Sequence, residues 1–261
     1  MELEILSRQA RAAPGRTPLL FVHGAYVGAW CWAEHFLDWF AARGFAAHAV
    51  SLRGHGASAG RERLDEFGLA HYAEDLARAA AGLPAPPVLV GHSMGALVVQ
   101  KYLERETAPA AVLACPVPAY GLMPSAMALA WTRPALYLGI QTLAAGRSAS
   151  LEVLAEAMFA GDLEPETLAH VLRRMQRESR RALIDMSGWG LPLPWRNGRP
   201  PTLVLGAGED ALIGCAEARA TAAVLGAEYL ELDALGHAIM LDERWESAAQ
   251  AILGWLEARG C

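Results

Sequence analysis

Gly91-His92-Ser93-Met94-Gly95 separates two apolar runs, Val88-Leu89-Val90 before it and Ala96-Leu97-Val98-Val99 after it. The pattern predicts a strand, a sharp turn and a helix, with Ser93 at the apex. Such a turn needs small residues on both sides of the serine. Side chains at 91 and 95 would collide as the helix folds back on its strand. The hydroxyl is then lifted clear of the sheet, and the first amides of the helix point at whatever binds beside it. Gly56-Ala57-Ser58-Ala59-Gly60 has the same G-x-S-x-G spacing. It follows Arg53-Gly54-His55 rather than a strand and precedes Arg61-Glu62-Arg63 rather than an apolar helix, so Ser58 reads as a loop residue.

A serine hydroxyl becomes an effective nucleophile when a base takes its proton during attack. His237 can do so near neutral pH. Asp210 can hold the ring in the right tautomer and stabilise the imidazolium that forms. Glu209 is the competing acid. The tetrahedral oxyanion then needs two fixed donors, and the backbone N–H groups of Met94 and Ala25 are the candidates. Each residue also has a plainer reading: Ser93 as a helix N-cap, Asp210 as a cap for a helix near Leu212, His237 as a loop histidine. His92 reads as packing and His23 as a brace for its loop. The remaining histidines lack H-E-x-x-H spacing, so no metal is expected, and there is no G-x-x-x-x-G-K phosphate cradle.

These residues need elements that bring them together. Short, mainly apolar runs at Leu19–Val22, Ala46–Leu52, Val88–Val90, Ala110–Ala114 and Thr202–Leu205 read as buried strands, with an edge strand within Glu2–Ser7 and a last strand at Glu228–Leu232. Helices are expected at Trp30–Arg43, Asp65–Leu83, Met94–Glu106, Ile213–Leu225 and Glu243–Ala258. Short apolar strands joined by long crossovers predict an α/β fold: a mostly parallel sheet of about six to eight strands, covered by helices on both faces. The rhythm breaks after Cys115. From Pro116 to Arg199 no strong strand appears, and helical patterns run at Ser125–Leu143, Leu151–Phe159 and Pro165–Leu183. Three segments follow: 1–115 as the first part of the core, 116–199 as a helical cap closed by Gly198-Arg199-Pro200-Pro201, and 200–261 as the second part. In such sheets reactive loops lie beyond the carboxyl ends of the strands. Ser93, Asp210, His237 and His23-Gly24-Ala25 all fall there.

A chain of 261 residues with 54% apolar and 19% charged residues can bury a large core. Its net charge of −6, with no basic block, argues against a nucleic-acid partner. Cys31, Cys115, Cys215 and Cys261 show no C-x-x-C pair, and the acidic start Met1-Glu2-Leu3-Glu4-Ile5 has no long apolar core, so a reduced, cytoplasmic setting is expected. No residue from Thr107 to Thr132 is charged, but Pro109, Pro116, Pro118, Pro124 and Gly121 cut that stretch up. It reads as a greasy lid rather than a membrane span.

His23-Gly24, Arg53-Gly54-His55-Gly56, Gly91-His92-Ser93-Met94-Gly95, Asp210 and His237 together resemble the α/β-hydrolase family over nearly the whole chain outside the insertion. The resemblance implies a Ser-His-Asp hydrolase with a helical cap over its site and no cofactor. His23-Gly24-Ala25 followed by Gly28-Ala29-Trp30-Cys31-Trp32 is also similar to plant methylesterases and hydroxynitrile lyases. Those lyases use a lysine close to the catalytic histidine, where this chain has Ala238-Ile239-Met240. Bacterial lysophospholipase-like and carboxylesterase-like members are the nearer likeness. The expected activity is hydrolysis of a carboxylic ester of an apolar small molecule, with contact to lipid-like substrates, through an acyl-enzyme. Lyase-like chemistry, C–C bond hydrolysis and ligand binding with little turnover are the alternatives on the same scaffold. Tyr26, Trp131, Tyr137, Met158 and Phe159 are the expected pocket residues.

Overall fold

The structure, a computed structural model, describes residues 1–11, 15–147, 149–161, 163–193 and 199–261. Gly198, expected to help close the insertion, lies outside them.

The apolar runs form one seven-stranded sheet: β1 (Ile5–Arg8), β2 (Leu19–Val22), β3 (Ala47–Val50), β4 (Val88–His92), β5 (Ala111–Ala114), β6 (Thr202–Ala207) and β7 (Glu228–Leu232). The spatial order is β1-β3-β2-β4-β5-β6-β7. Among the described residues only the edge pair β1–β3 is antiparallel; the five other pairs are parallel. Strands β2 to β6 carry apolar side chains on both faces because both faces are covered. Leu19, Phe21, Val88, Val90, Leu203 and Leu205 point into one core with Trp32, Phe36, Phe40 and Ile252. Leu20, Val22, Leu89, Leu113 and Val204 point into the other with Leu69, Leu76, Leu97 and Ala222. Helices α1 (Trp30–Ala33), α2 (Phe36–Ala42) and α11 (Trp245–Glu257) cover the first face; α3 (Leu69–Ala81), α4 (Met94–Tyr102) and α10 (Cys215–Leu225) cover the second.

The strand order reverses at β2. From there the chain steps to β3 on one side and then to β4 on the other. A crevice forms at the carboxyl ends of strands flanking such a switch point. The loop after β2 and the Ser93 turn after β4 are therefore neighbours by topology.

Several expected helices are broken, each for a local or distant reason. The Trp30–Arg43 helix is interrupted at Glu34-His35, where the His35 ring stacks on Trp245 at 4.6 Å. The helix expected from Asp65 begins only at Leu69: a 3-10 turn covers Arg61–Glu66, Phe67 is extended, and Asp185 accepts the Leu69 N–H at 2.9 Å.

In the insertion, α5 (Met123–Thr132) and α6 (Pro134–Ala144) are separate because Arg133 precedes a proline and leaves the helical region. Helix α7 (Leu151–Met158) lies where expected. The long pattern from Pro165 divides into α8 (Pro165–Arg174) and α9 (Arg180–Ile184), with residues 175–179 non-helical between them.

Helix α4 returns against β2 so closely that an added Cβ on Gly95 would sit 2.5 Å from the Val22 oxygen and 2.6 Å from the His23 oxygen. On Gly91 it would sit 2.5 Å from the Gly95 oxygen. Backbone atoms cannot yield as side chains do. Gly95→Ala is therefore expected to lose about 1–3 kcal/mol or more of stability in urea unfolding. Gly254→Ala, at an exposed interior position of α11 with nothing within 4 Å, is expected to gain about 0.5–1 kcal/mol.

Candidate active site

Ser93 occupies the N-cap position of α4 with φ +52° and ψ −115°, a conformation a serine adopts only under constraint. The constraint is visible on both sides. Its N–H donates to the Ala114 carbonyl of β5 at 2.9 Å, and the two glycine contacts fix the helix against β2. The side chain makes no capping bond. Its Oγ instead lies 3.0 Å from His237 Nε2.

His237 Nδ1 lies 2.7 Å from Asp210 Oδ2. An ionised carboxylate only accepts, so Nδ1 carries the proton and Nε2 is left to accept from the serine. The Asp210 side chain is fully buried. Its other oxygen, Oδ1, accepts the N–H groups of Leu212 and Ile213 at 2.8 and 2.9 Å. The Asp210 carboxylate thus both closes on the chain at Leu212 and Ile213 and meets the His237 ring, one oxygen to each. Glu209 turns elsewhere, lining a cavity of about 400 Å³ together with Phe159, Ala234 and Asp242. Neither Ser93 nor His237 lines that cavity.

The loop bearing His237 is held by residues that sequence reasoning passed over. Buried Asp242 accepts the N–H groups of Gly236 and Ala160 at 3.2 and 3.3 Å. Ala238 N–H donates to the Met158 carbonyl at 2.8 Å. Gly236 is pressed on the Phe159 backbone, where an added Cβ would come within 2.5 Å. Met158 and Phe159 thus meet the reactive loop through their main chain. Asp242 stands five residues after His237, with nothing local to distinguish it from a surface acid. His92 Nε2 donates to the His237 carbonyl at 2.8 Å, and burial together with the charge of His237 pushes His92 far below the ordinary histidine value, so it stays neutral.

The loop after β2 packs on the serine: an added Cβ on Gly24 would lie 2.8 Å from His92 Nδ1 and 3.2 Å from Ser93 Cβ. Ala25 follows directly, and Met94 N–H stands at the first position of α4. Buried His23 donates from Nδ1 to the Gly24 carbonyl at 2.7 Å and accepts the Leu52 N–H on Nε2 at 3.0 Å. Burial and the neighbouring His55 lower it to about 3, so it keeps this neutral tautomer at all working pH values. The other expected pocket residues scatter. Tyr26 and Tyr137 are half-buried, while Trp131 at the end of α5 is 90% exposed, on the same outward face as Met123 and Met127.

Ser58 is a brace. Its hydroxyl donates to the Ser51 carbonyl at 2.6 Å and accepts the Glu4 N–H at 2.8 Å. Potential ligand atoms of His92, Cys115 and His237 lie within 4.8 Å of one another. Both ring nitrogens of His237 are engaged with Ser93 and Asp210, and burial with the Asp210 charge pushes the Cys115 thiol well up. Among the described residues no helix is long and apolar enough to cross a membrane.

A family model described as "Alpha/beta hydrolase family" matches residues 19–251. A rice protein described as a probable esterase, PIR7A, from Oryza sativa subsp. indica and japonica, is 39% identical over 113 residues. That match covers 41% of this chain and 42% of the relative, so the chain spans less than half the length of the curated relatives it matches. Among solved structures, an esterase from Exiguobacterium antarcticum superposes with a TM-score of 0.74 at 16% identity, over 98% of this chain and 95% of that one. A thermophilic esterase from Thermogutta terrifontis gives 0.73 at 21% identity, over 98% and 93%. A monoacylglycerol lipase from Paleococcus ferrophilus gives 0.71 at 20% identity, over 98% of both chains. At these identities the likeness shows the fold alone.

One buried ion pair gives the molecule a pH signature. His55 Nε2 lies 3.0 Å from Glu178 Oε2, both side chains fully buried. Burial alone would push His55 down; the charge and hydrogen bond of Glu178 raise it above 6.5. Burial would push Glu178 up; His55, the Ser179 N–H and Tyr72 hold it below 4.5. The His55 contribution is full below 6.5 and is lost as pH rises through the folded-state value. The Glu178 contribution is present above 4.5 and is lost as pH falls through its folded-state value. The stability gap between wild type and His55→Gln, measured by urea unfolding, is expected to be larger at about pH 5.5 than at about pH 9. An equal gap at the two pH values would contradict this.

Proposed function

The chain belongs to the alpha/beta hydrolase family, and from that premise we propose that it is a serine esterase that cleaves carboxylic esters of apolar small molecules or lipid-like substrates through an acyl-enzyme. The observation that carries the reading is the continuous hydrogen-bonded line from Ser93 Oγ to His237 Nε2 and from His237 Nδ1 to Asp210 Oδ2. Ser93 Oγ attacks the ester carbonyl as its proton passes to His237 Nε2. The imidazolium so formed faces a buried carboxylate that is already in place. The carbonyl oxygen, now an oxyanion, lies between the N–H groups of Ala25 and Met94. Collapse expels the alcohol, which takes the proton from His237 and leaves an acyl group on Ser93. Water repeats the sequence in reverse and frees the acid.

Residues 116–199 serve as a cap over this centre. Support comes from the hydrogen bond of Met158 to the His237 loop and from the apolar character of α5, α6 and α7. Half-buried Tyr26, in the loop that carries Ala25, and half-buried Met158, on a segment bound to the loop that carries His237, favour an apolar acyl or alcohol group.

A fluorophosphonate probe is expected to modify Ser93, read by peptide mapping, and the protein is expected to turn over p-nitrophenyl esters. In Ser93→Ala labelling should vanish and turnover fall by about a millionfold, to background. A parent protein with neither labelling nor turnover, indistinguishable from Ser93→Ala, would end the esterase reading.

Asp210→Asn tests the orienting role separately. The two amides of Leu212 and Ile213 hold the side-chain oxygen, so the new NH₂ faces His237 Nδ1. The ring must then present its N–H to the serine, the wrong tautomer. kcat is expected to fall by about ten thousandfold with little loss of fold.

A further inference from the structure

The insertion reaches into the reactive end through one short segment. Residues 175–179, between α8 and α9, lie between the loop after β2 and the turn after β3. Gln176 N–H donates to the Tyr26 carbonyl at 2.8 Å. Its side chain donates to the Gly54 carbonyl at 2.9 Å and accepts the Gly56 N–H at 3.0 Å.

Glu178 is 3% exposed and serves four donors. Oε1 accepts from the Tyr72 hydroxyl at 2.9 Å and the Ser179 N–H at 2.7 Å. Oε2 accepts from His55 Nε2 at 3.0 Å and the Tyr26 N–H at 3.2 Å. Both main-chain polar groups of Tyr26 are therefore held by this segment, and Tyr26 has φ +68°, unfavourable for a tyrosine unless its surroundings enforce it.

Ala25 is the next residue back. The Gly24–Ala25 peptide is held on its carbonyl side by His23. In a trans peptide the N–H points away from the carbonyl, so His23 sets the axis of the Ala25 N–H from one side. The Tyr26 contacts fix the chain on the other.

We infer that Glu178 is a positioning residue for the oxyanion loop: it binds the Tyr26 N–H, and through it the insertion, once seated, sets the direction of the Ala25 N–H. This rests on the reading of Ala25 N–H as an oxyanion donor. Only a carboxylate fits the position. A glutamine has one accepting oxygen, and its NH₂ would face either the Tyr26 N–H or the Ser179 N–H, neither of which can turn into an acceptor. The Tyr72 hydroxyl can rotate and His55 can give up its Nε2 proton, but the two amides cannot adapt.

The test compares wild type with Glu178→Gln, and with Gln176→Ala as a second, half-buried change that loosens the same segment without disturbing the ion pair. Two readouts are taken on the full chain: hydrogen exchange by mass spectrometry, and kinetics with p-nitrophenyl butyrate. Exchange over residues 23–27 is expected to quicken by about tenfold while β4 and β5 stay protected. kcat is expected to fall by about ten- to a hundredfold in Glu178→Gln, and less in Gln176→Ala, with KM within about twofold. A general loss of packing would instead raise exchange throughout the sheet. Unchanged exchange at 23–27, or faster exchange there with unchanged kcat, overturns the inference. If wild type neither labels at Ser93 nor turns over ester, the esterase reading fails, and exchange at 23–27 still decides whether Glu178 sets this loop.

Discussion

The site depends on one approach of backbone to backbone. Helix α4 comes back over β2 until the Gly95 Cα nearly touches the carbonyls of Val22 and His23. No other residue allows it, because the missing Cβ is the space into which β2 fits. The consequence runs outward from that contact. Ser93 is forced to φ +52° and stands above the sheet, while the loop leaving β2 is brought against it, with Gly24 on the serine Cβ. Ser93 and the amides of the loop after β2 are thus set by packing of main chain on main chain, which has little freedom to relax.

The distribution of buried charge follows the same division. The two sheet faces are packed with apolar side chains, and the buried carboxylates lie beyond the strand ends or in the segments packed on them. Asp75 takes Arg53 through paired bonds of 2.8 Å; Glu178 takes His55; Asp210 takes His237; Asp242 takes loop amides. Each leaves water with its acceptors filled, as a buried ion requires. All four tie segments distant in sequence, Asp242 through the Ala160 N–H. The order of the loops there is maintained by polar bonds in a setting where each is strengthened by its neighbours.

What could be read from the residues was whatever is encoded locally. Leu19–Val22 and Leu203–Leu205 are apolar throughout because both sheet faces are covered, and the pattern says so without further information. The glycines at 91 and 95 mark the turn for the same reason. Pro134 should have ended α5, and a stricter reading of the residue before proline would have found it. The break before Leu69 was not readable in this way. It depends on Asp185, over a hundred residues later, accepting an amide that the local sequence leaves open. Glu178 and Asp242 are similar: each looks like an ordinary acid in a helical, charged stretch, and only the tertiary structure shows their four and three accepted bonds. The expectation of one helix from Pro165 to Leu183 hid the non-helical stretch in which Glu178 lies.

The contacts of Asp210 show why an aspartate suits the position beside His237 better than a glutamate would. Its carboxylate closes a turn on the chain that follows, with Oδ1 bound to the N–H groups two and three residues on. That bond fixes the side chain before His237 is considered, and the plane of the carboxylate then aims Oδ2 outward. A glutamate has one more torsion and a reach too long to close the same turn, so it would have to be held by partners elsewhere. The short acid converts a local backbone motif into a preset acceptor. The ring that docks on it needs to be held only at its own loop, by the Met158 carbonyl and Asp242. In the proposed mechanism little reorganisation would then be left for the moment at which the ring takes up the serine proton, where an electrostatic contribution to catalysis is greatest.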